Sequence, residues 1–178
     1  MNKKEIAEQL YKNHFLFLNY IDSLTDKDFE ETLNQKWSAG QQVDHIYRSV
    51  TPLVQALNIP HFVLKLLFGK ANRTSKSYED LVKKYLHKLE TGGRASGRFV
   101  PKEILVEQKE NSKNKLQKAT EKLIAHVNKL SETALDNLIM PHPLLGKITL
   151  REMMYFTIYH VVHHEEITKR NLHSLQGK

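Results

Sequence analysis

The sequence predicts an all-α protein, built as a four-helix bundle, and three observations support this prediction. Four segments repeat apolar residues at spacings of three and four, which is the period of a helix with one buried face. No segment shows the sustained apolar and polar alternation that is typical of a half-buried strand. About forty residues separate the second and third helical segments, far more than a helical hairpin needs. These two helices can therefore run parallel, in an up-down-down-up order.

The first predicted helix spans Lys4 to Asp22, and the second spans Ser38 to Asn58. Ser38 is followed three residues later by Gln41, which is the pattern of a capping box at a helix start. Pro60 ends the second pattern. The apolar faces of these two helices consist of Ile6, Leu10, Phe17, Leu18 and Ile21, and of Val43, Ile46, Val50, Leu53, Val54 and Leu57.

The third predicted helix spans Pro101 to Leu130, with proline in its first turn, where a missing N–H costs nothing. The fourth spans Ile148 to His173, because Gly146 stands just ahead of it and no proline interrupts its apolar repeat. The long connection before the third helix contains an apolar run, a short predicted helix and a turn-rich segment that we interpret as a plain loop: His61–Phe68, Tyr78–Leu89 and Thr91–Gly97.

The composition predicts one domain that covers residues 1–178. A chain of 178 residues can bury a core without disulfides or a structural metal. It contains no cysteine, which excludes thiolate ligands and a cysteine nucleophile and suits a reducing cytoplasm. No apolar run is long enough for a membrane span, and the N-terminus does not have the pattern of a signal peptide. We therefore expect a soluble cytoplasmic protein, with a monomer and a homodimer both open.

The net charge of +7 favours anionic partners. Basic residues are interleaved with acidic ones in Lys102–Lys129, and no zinc-finger spacing or basic stripe with interleaved aromatics is present. We therefore do not expect the protein to bind nucleic acid. An anionic small substrate or cofactor is favoured by the same charge.

Three histidines form a candidate metal site. His160 and His164 lie four residues apart on the fourth predicted helix, so they share the face that should point into the bundle core. Together with His45 from the second helix they could bind a divalent cation and leave a coordination position open. Such binding should weaken as the pH falls through about 6.5, where protons compete for imidazole nitrogens. The spacing alone leaves open the alternative of hydrogen-bonded core histidines.

Several neighbours of this site have structural interpretations that we favour. His163 points about 100° away from the ligand face, so we expect an interhelix hydrogen bond, with a proton-shuttling role as the alternative. We expect His142 to be a loop residue rather than part of the site mouth, and Trp37 to pack the start of the second helix. The sequence names no general base, since the acidic neighbours should be solvated or paired with lysine: Asp44, Glu165 and Glu166.

Two blocks of the sequence resemble the DinB/YfiT-like family of metalloenzymes. The first is KWSAGQQVDHI at Lys36–Ile46. The second block consists of His142-Pro143, Ile148–Glu152 and Tyr159–His164, in the order and approximate spacing of YfiT-like members. The family forms four-helix bundles that bind a divalent metal through one histidine of helix two and two of helix four. The resemblance thus implies that His45, His160 and His164 are metal ligands, for zinc or nickel before manganese or iron.

The same resemblance implies a class of reaction. Several relatives transfer or isomerise groups with a low-molecular-weight thiol such as bacillithiol or mycothiol, and others are described as metal-dependent hydrolases. We therefore expect a metal-dependent thiol S-transferase that acts on a small molecule, with the thiol supplied from outside because the chain has no cysteine. The alternatives are a metal-dependent hydrolase and a helical binding or stress-response module that performs no chemistry.

Overall fold

A computed structural model of the protein describes residues 1–32 and 36–176, and the all-α prediction is confirmed. These residues form eight α-helices: α1 (Lys3–Ser23), α2 (Asp26–Glu30), α3 (Ala39–Leu57), α4 (His61–Phe68), α5 (Tyr78–Glu90), α6 (Lys109–Lys129), α7 (Glu132–Asn137) and α8 (Leu150–Gln176). One antiparallel ribbon of two short strands, β1 (Ile139–His142) and β2 (Gly146–Thr149), precedes α8.

Four long helices, α1, α3, α6 and α8, surround the core, and both α1 and α3 contact α6 and α8. The ammonium of Lys3 donates to the carbonyl of Leu130 at one end of α1, and that of Lys109 donates to Leu24 at the other. Helices α1 and α6 therefore run antiparallel. The largest fully buried side chains come from several helices and include Ile6, Phe17, Phe29, Ile46, Leu116 and Leu123.

Helix α8 runs in the same direction as α1. The amino group of Met1 donates to the Tyr155 hydroxyl near the start of both helices. Farther along, the ammonium of Lys169 lies 5.2 Å from the centre of the Tyr20 ring. The buried face of α8 points into the interior over most of the helix, from Leu150 to Leu172, and carries two of the candidate ligands.

The start of α3 is fixed by the predicted capping box. The N–H of Gln41 donates to the Ser38 hydroxyl at 3.2 Å, and the N–H of Ser38 donates to the Gln41 side chain at 2.9 Å. Gly40 lets this helix end approach its neighbours, because a Cβ there would lie 3.0 Å from both the Phe29 ring and the Ile104 carbonyl. The capping box and the close contacts at Gly40 thus fix the position of the first turns of α3 in the bundle.

The predicted start of the third helix at Pro101 is wrong, because α6 begins at Lys109. Side chains from elsewhere bind the backbone N–H groups that a helix start would leave free. The N–H of Lys102 donates to the Asp44 carboxylate, and that of Val106 donates to Glu30. The segment before α6 therefore passes over α3 in a mostly non-helical conformation, apart from a single 3-10 turn.

The ribbon before α8 was not predicted, and α8 begins at Leu150 rather than at Ile148. Each strand has only four residues, which is too short to show a clear alternation in sequence. Gly146 allows the turn because its φ is +76°. The ribbon places His142 beside α8.

The long crossover between α3 and α6 forms one side of the candidate site. Its apolar run forms α4, which contacts β1, and its predicted short helix is α5, which packs on α8.

Among the described helices, none by itself has the length and apolar character to cross a membrane; α3 and α4, bent by 111°, meet those criteria only as a pair.

Candidate metal centre

The structure brings His45, His160 and His164 together in the interior of the bundle. The Nε2 atom of His160 lies 3.2 Å from that of His45 and 3.0 Å from that of His164. One potential ligand atom from each residue lies within 4.8 Å of the other two. All three side chains are buried, so the face predicted to carry the ligands does point inward.

The dimensions of this triad match those of a mononuclear metal site. Two nitrogen ligands about 2.0–2.1 Å from a tetrahedral cation lie about 3.3 Å apart. The two Nε2 separations of 3.0 and 3.2 Å are close to this value. Three protein ligands would leave a fourth position open for a small molecule.

Hydrogen bonds on the outer side of two imidazoles fix their tautomers. The Nδ1–H of His45 donates to the Phe99 carbonyl at 2.6 Å, and that of His164 donates to the Gln42 side-chain carbonyl at 2.5 Å. Since these oxygens only accept, the neutral rings carry lone pairs on Nε2. If His160 carries its hydrogen on Nε2, this one hydrogen cannot bond well to the Nε2 lone pairs of both His45 and His164. If the hydrogen is on Nδ1 instead, three Nε2 lone pairs meet, and a cation can bind all three. The donor set therefore fits a divalent metal better than a hydrogen-bonded core.

Burial keeps the triad neutral. Desolvation lowers the pKa of His160 and His164 well below the ordinary value, and the neighbouring imidazoles lower both further. Desolvation also lowers the pKa of His45, although its hydrogen bond to Phe99 and the nearby Asp44 carboxylate oppose the shift. Neutral imidazole is the form that binds metals, so the lowered pKa values keep all three candidate ligands in the metal-binding form at neutral pH.

We expect metal affinity to persist as the pH falls through about 6.5 and to be lost only at lower pH. Protons compete for imidazole only below its pKa, and all three of these pKa values are lowered. The pH at which metal binding weakens is therefore expected to lie below the value of about 6.5 that the sequence alone predicted. Calorimetric titration with Zn²⁺ across this range, with a free histidine derivative as control, measures the difference. If the protein loses its zinc affinity at the same pH as the free histidine derivative, or at a higher pH, this expectation would be contradicted.

Two residues that support the triad were missed in the sequence. Gln42 lies three residues before His45, so helical spacing alone could have placed it on the same face. The Phe99 carbonyl belongs to the loop after α5, and nothing in the sequence indicates that this loop reaches α3. Trp37, expected only to pack the helix start, lies with its ring centre 4.9 Å from that of His45. It is stacked against His164 at 6.3 Å.

Replacing the acceptor on His164 should weaken metal binding without removing a ligand. We expect Gln42→Leu to lower the affinity about 10–100-fold, because the imidazole loses the partner that fixes its tautomer and orientation. Gln42→Glu keeps an acceptor and should retain most of the affinity. Competition with a chelating dye measures both variants. Equal affinity in Gln42→Leu and the wild type would show that this hydrogen bond does not support the site.

A cavity of about 990 Å³ includes the triad in its wall. The turn-rich loop that we interpreted as a plain connection closes one side of it, from Gly93 to Phe99. Gly93 permits this path because a Cβ there would lie 2.6 Å from the Lys88 carbonyl. On the other side, Phe156 stacks on His160 with ring centres 4.5 Å apart. The triad thus lies in a mainly apolar chamber of the size that small-molecule ligands occupy.

His142 and His163 both line this cavity, contrary to the interpretations that we favoured. The Nδ1 of His142 accepts from the N–H groups of Leu144 and Leu145, each at 3.1 Å, so its hydrogen is on Nε2. Burial, with a smaller contribution from Lys84, lowers the pKa of His142 to about 4. His163 makes no interhelix hydrogen bond to a described residue, and instead its ring packs between aromatic side chains of α5 and α8, Tyr85 and Tyr159.

The acidic neighbours of the candidate ligands form ion pairs, although Asp44 pairs with an arginine rather than with the expected lysine. Asp44 binds Arg48 at 2.5 Å and Glu165 binds Lys169 at 2.6 Å. Among the described residues that line the cavity, Glu90 is the one carboxylate. No carboxylate general base is therefore evident beside the triad in the part of the chain that the structure describes.

Comparisons with known proteins agree with this fold. A model of the DinB superfamily matches residues 9–167. The chain is also similar to the crystal structure of a conserved protein from Enterococcus faecalis, with a TM-score of 0.65 and 13% identity, covering 100% of this chain and 99% of that chain. At this identity the likeness shows the fold alone. No curated protein matches the chain.

Proposed function

The chain belongs to the DinB superfamily, and on that premise we propose that it is an enzyme whose His45, His160 and His164 hold a divalent transition metal. Zinc or nickel is preferred, and manganese or iron is compatible with imidazole ligands. The observation that carries the proposal is the meeting of three neutral, buried imidazoles in the wall of a large cavity. Two of them have their Nε2 lone pairs fixed by outer hydrogen bonds.

When bound, the metal supplies Lewis acidity that lowers the pKa of a coordinating thiol or water. The three imidazoles are uncharged, so they leave the full positive charge available. Trp37 and Phe156 shield the ligand rings with apolar surface, and this strengthens electrostatic interactions inside the chamber. His142 stays neutral and keeps its Nε2–H as a donor, since Nδ1 is already occupied.

Thiol S-transfer is the reaction that we propose first, with hydrolysis second. Cavities that hold one small ligand usually measure about 300–1,000 Å³. This cavity lies at the upper end, with about 990 Å³, and so has room for a small thiol beside an electrophilic acceptor. The chain has no cysteine, so the thiol must come from outside. The substrate is then a small molecule, and nucleic acid is not required.

Turnover by metal-loaded protein tests this proposal. A low-molecular-weight thiol and chlorodinitrobenzene serve as probes: the carbon–sulfur bond forms, the carbon–chlorine bond breaks, chloride leaves and the thiol proton passes to solvent. We expect a metal-dependent rate that His164→Ala loses. Metal-dependent hydrolysis of p-nitrophenyl acetate without thiol would instead favour the hydrolase alternative. A metal-loaded protein inactive in both assays would contradict the transferase proposal and favour a binding module.

A further inference from the structure

The six arginines of this chain fall into two groups. Three form close ion pairs with carboxylates: Arg48 with Asp44, Arg73 with Glu152 and Arg151 with Asp136. The other three make no ion pair with any described residue, and all three line the cavity that contains the histidine triad: Arg94, Arg98 and Arg170. Lys36, another cavity-lining cation, also makes no such pair within the described residues.

Arg98 and Arg170 are the best placed of the three arginines to bind a ligand. The guanidinium of Arg94 already donates to the carbonyls of Leu89 and Gly93 and so fixes the loop. By contrast, no described residue accepts a hydrogen bond from the side chain of Arg98 or Arg170. Both residues are exposed, whereas the triad is buried, so the charges lie toward the mouth of the cavity.

A buried amide provides a second, independent observation. Asn171 lines the same cavity and is only 7% exposed, yet its Nδ2 has no hydrogen-bond partner among residues 1–32 and 36–176. A buried donor without a partner costs free energy, which a ligand acceptor would recover. Asn171 is seven residues beyond His164, so it lies two helical turns along the same face. Asn171 thus lines the same chamber as the arginines.

We propose that the cavity binds a small anionic molecule with an apolar body, whose carboxylate or phosphate is held by Arg98 and Arg170 while its other end extends toward the triad. Guanidinium groups bind both kinds of oxyanion through paired N–H donors. The apolar walls, including Trp37 and Phe156, accommodate the body of the molecule. The inference rests on the proposed function only in taking this anion as a substrate, since the binding itself needs no metal.

A matched pair of fluorescent probes tests the anion site. Anilinonaphthalene sulfonate combines an aromatic body with an anionic group, and N-phenylnaphthylamine has the same body without the charge. We expect Arg98→Gln/Arg170→Gln to raise the Kd of the sulfonate about tenfold or more at physiological salt, and to leave that of the neutral probe nearly unchanged. Competition of the bound sulfonate by phenylacetate and by phenyl phosphate then ranks carboxylate against phosphate.

The control variant is Lys115→Gln/Lys118→Gln, which removes the same total charge from exposed positions on α6, away from the cavity lining. An equal loss in this control, or an equal loss of both probes, would overturn the proposal, because a general field or loss of the apolar cavity would then explain it. All titrations are repeated on chelated protein. Sulfonate binding that follows the metal and ignores the arginines would also overturn it, whereas failure of metal loading alone would affect only the proposed function.

Discussion

His160→Ala should abolish metal binding, because its Nε2 lies between those of the other two ligands, at 3.2 and 3.0 Å. Apparent binding free energies for structural zinc sites are about 10–16 kcal/mol, which is about 2.5–5 kcal/mol for each of three or four ligands. Loss of one ligand should therefore raise the Kd by about 60-fold or more. Titration of chelated, tag-free protein with Zn²⁺ measures this change.

His163→Ala is the matched control for that experiment. It removes an imidazole from the same helix and cavity, but its ring packs on Tyr85 and Tyr159 rather than joining the triad. We expect metal content close to that of the wild type. Both variants should keep their helical circular dichroism, because the core does not need a metal to form. Equal loss of metal in the two variants would mean that the ligand face is assigned wrongly.

Arg73→Met should destabilise the fold by about 3–5 kcal/mol, because it leaves a buried carboxylate without its cation. The guanidinium donates to both oxygens of Glu152, at 2.7 and 2.8 Å, and the Glu152 side chain is 0% exposed. Urea denaturation measures the free energy of unfolding. The double variant Arg73→Met/Glu152→Gln removes the uncompensated charge and should recover part of the loss. A single variant within about 0.5 kcal/mol of the wild type would contradict this account.

The same carboxylate makes stability depend on pH. Burial raises the pKa of Glu152, but hydrogen bonds from Arg73 and from the N–H groups of Lys76 and Thr149 lower it more, so the net pKa lies below its ordinary value. This contribution to stability is therefore present above the ordinary value of 4.5 and is lost as the pH falls through the lowered one. The N–H of Thr149 is at the start of α8, so the network also anchors the helix that carries His160 and His164.

Local signals were enough to predict most of the fold. The apolar repeats and the Ser38–Gln41 capping box predicted α1, α3, α5 and α8 to within a few residues. The prediction of the start of α6 was wrong because Asp44 and Glu30, distant in sequence, bind the backbone of the segment before it. The ribbon before α8 was not predicted because its strands are too short to show an alternating pattern.

The sequence likewise predicted some parts of the candidate site and not others. His160 and His164 follow from one helical turn, and the resemblance to a family adds His45. The cavity walls depend instead on the path of the crossover, which periodicity does not determine. The Phe99 carbonyl and the cavity-lining Arg98 reach the site only because the loop after α5 folds back toward α3. The sequence therefore predicted the histidine triad better than the chamber around it.

Anomalous diffraction from crystals of tag-free, metal-loaded protein tests the central claim most directly. We predict one peak at the metal absorption edge, within about 2.0–2.2 Å of the Nε2 atoms of His45, His160 and His164. The Nδ1 atoms of His45 and His164 should remain bonded to Phe99 and Gln42. A peak at other residues, or a triad that stays free of metal after incubation with excess Zn²⁺ or Ni²⁺, would contradict the assignment of these histidines as a metal centre.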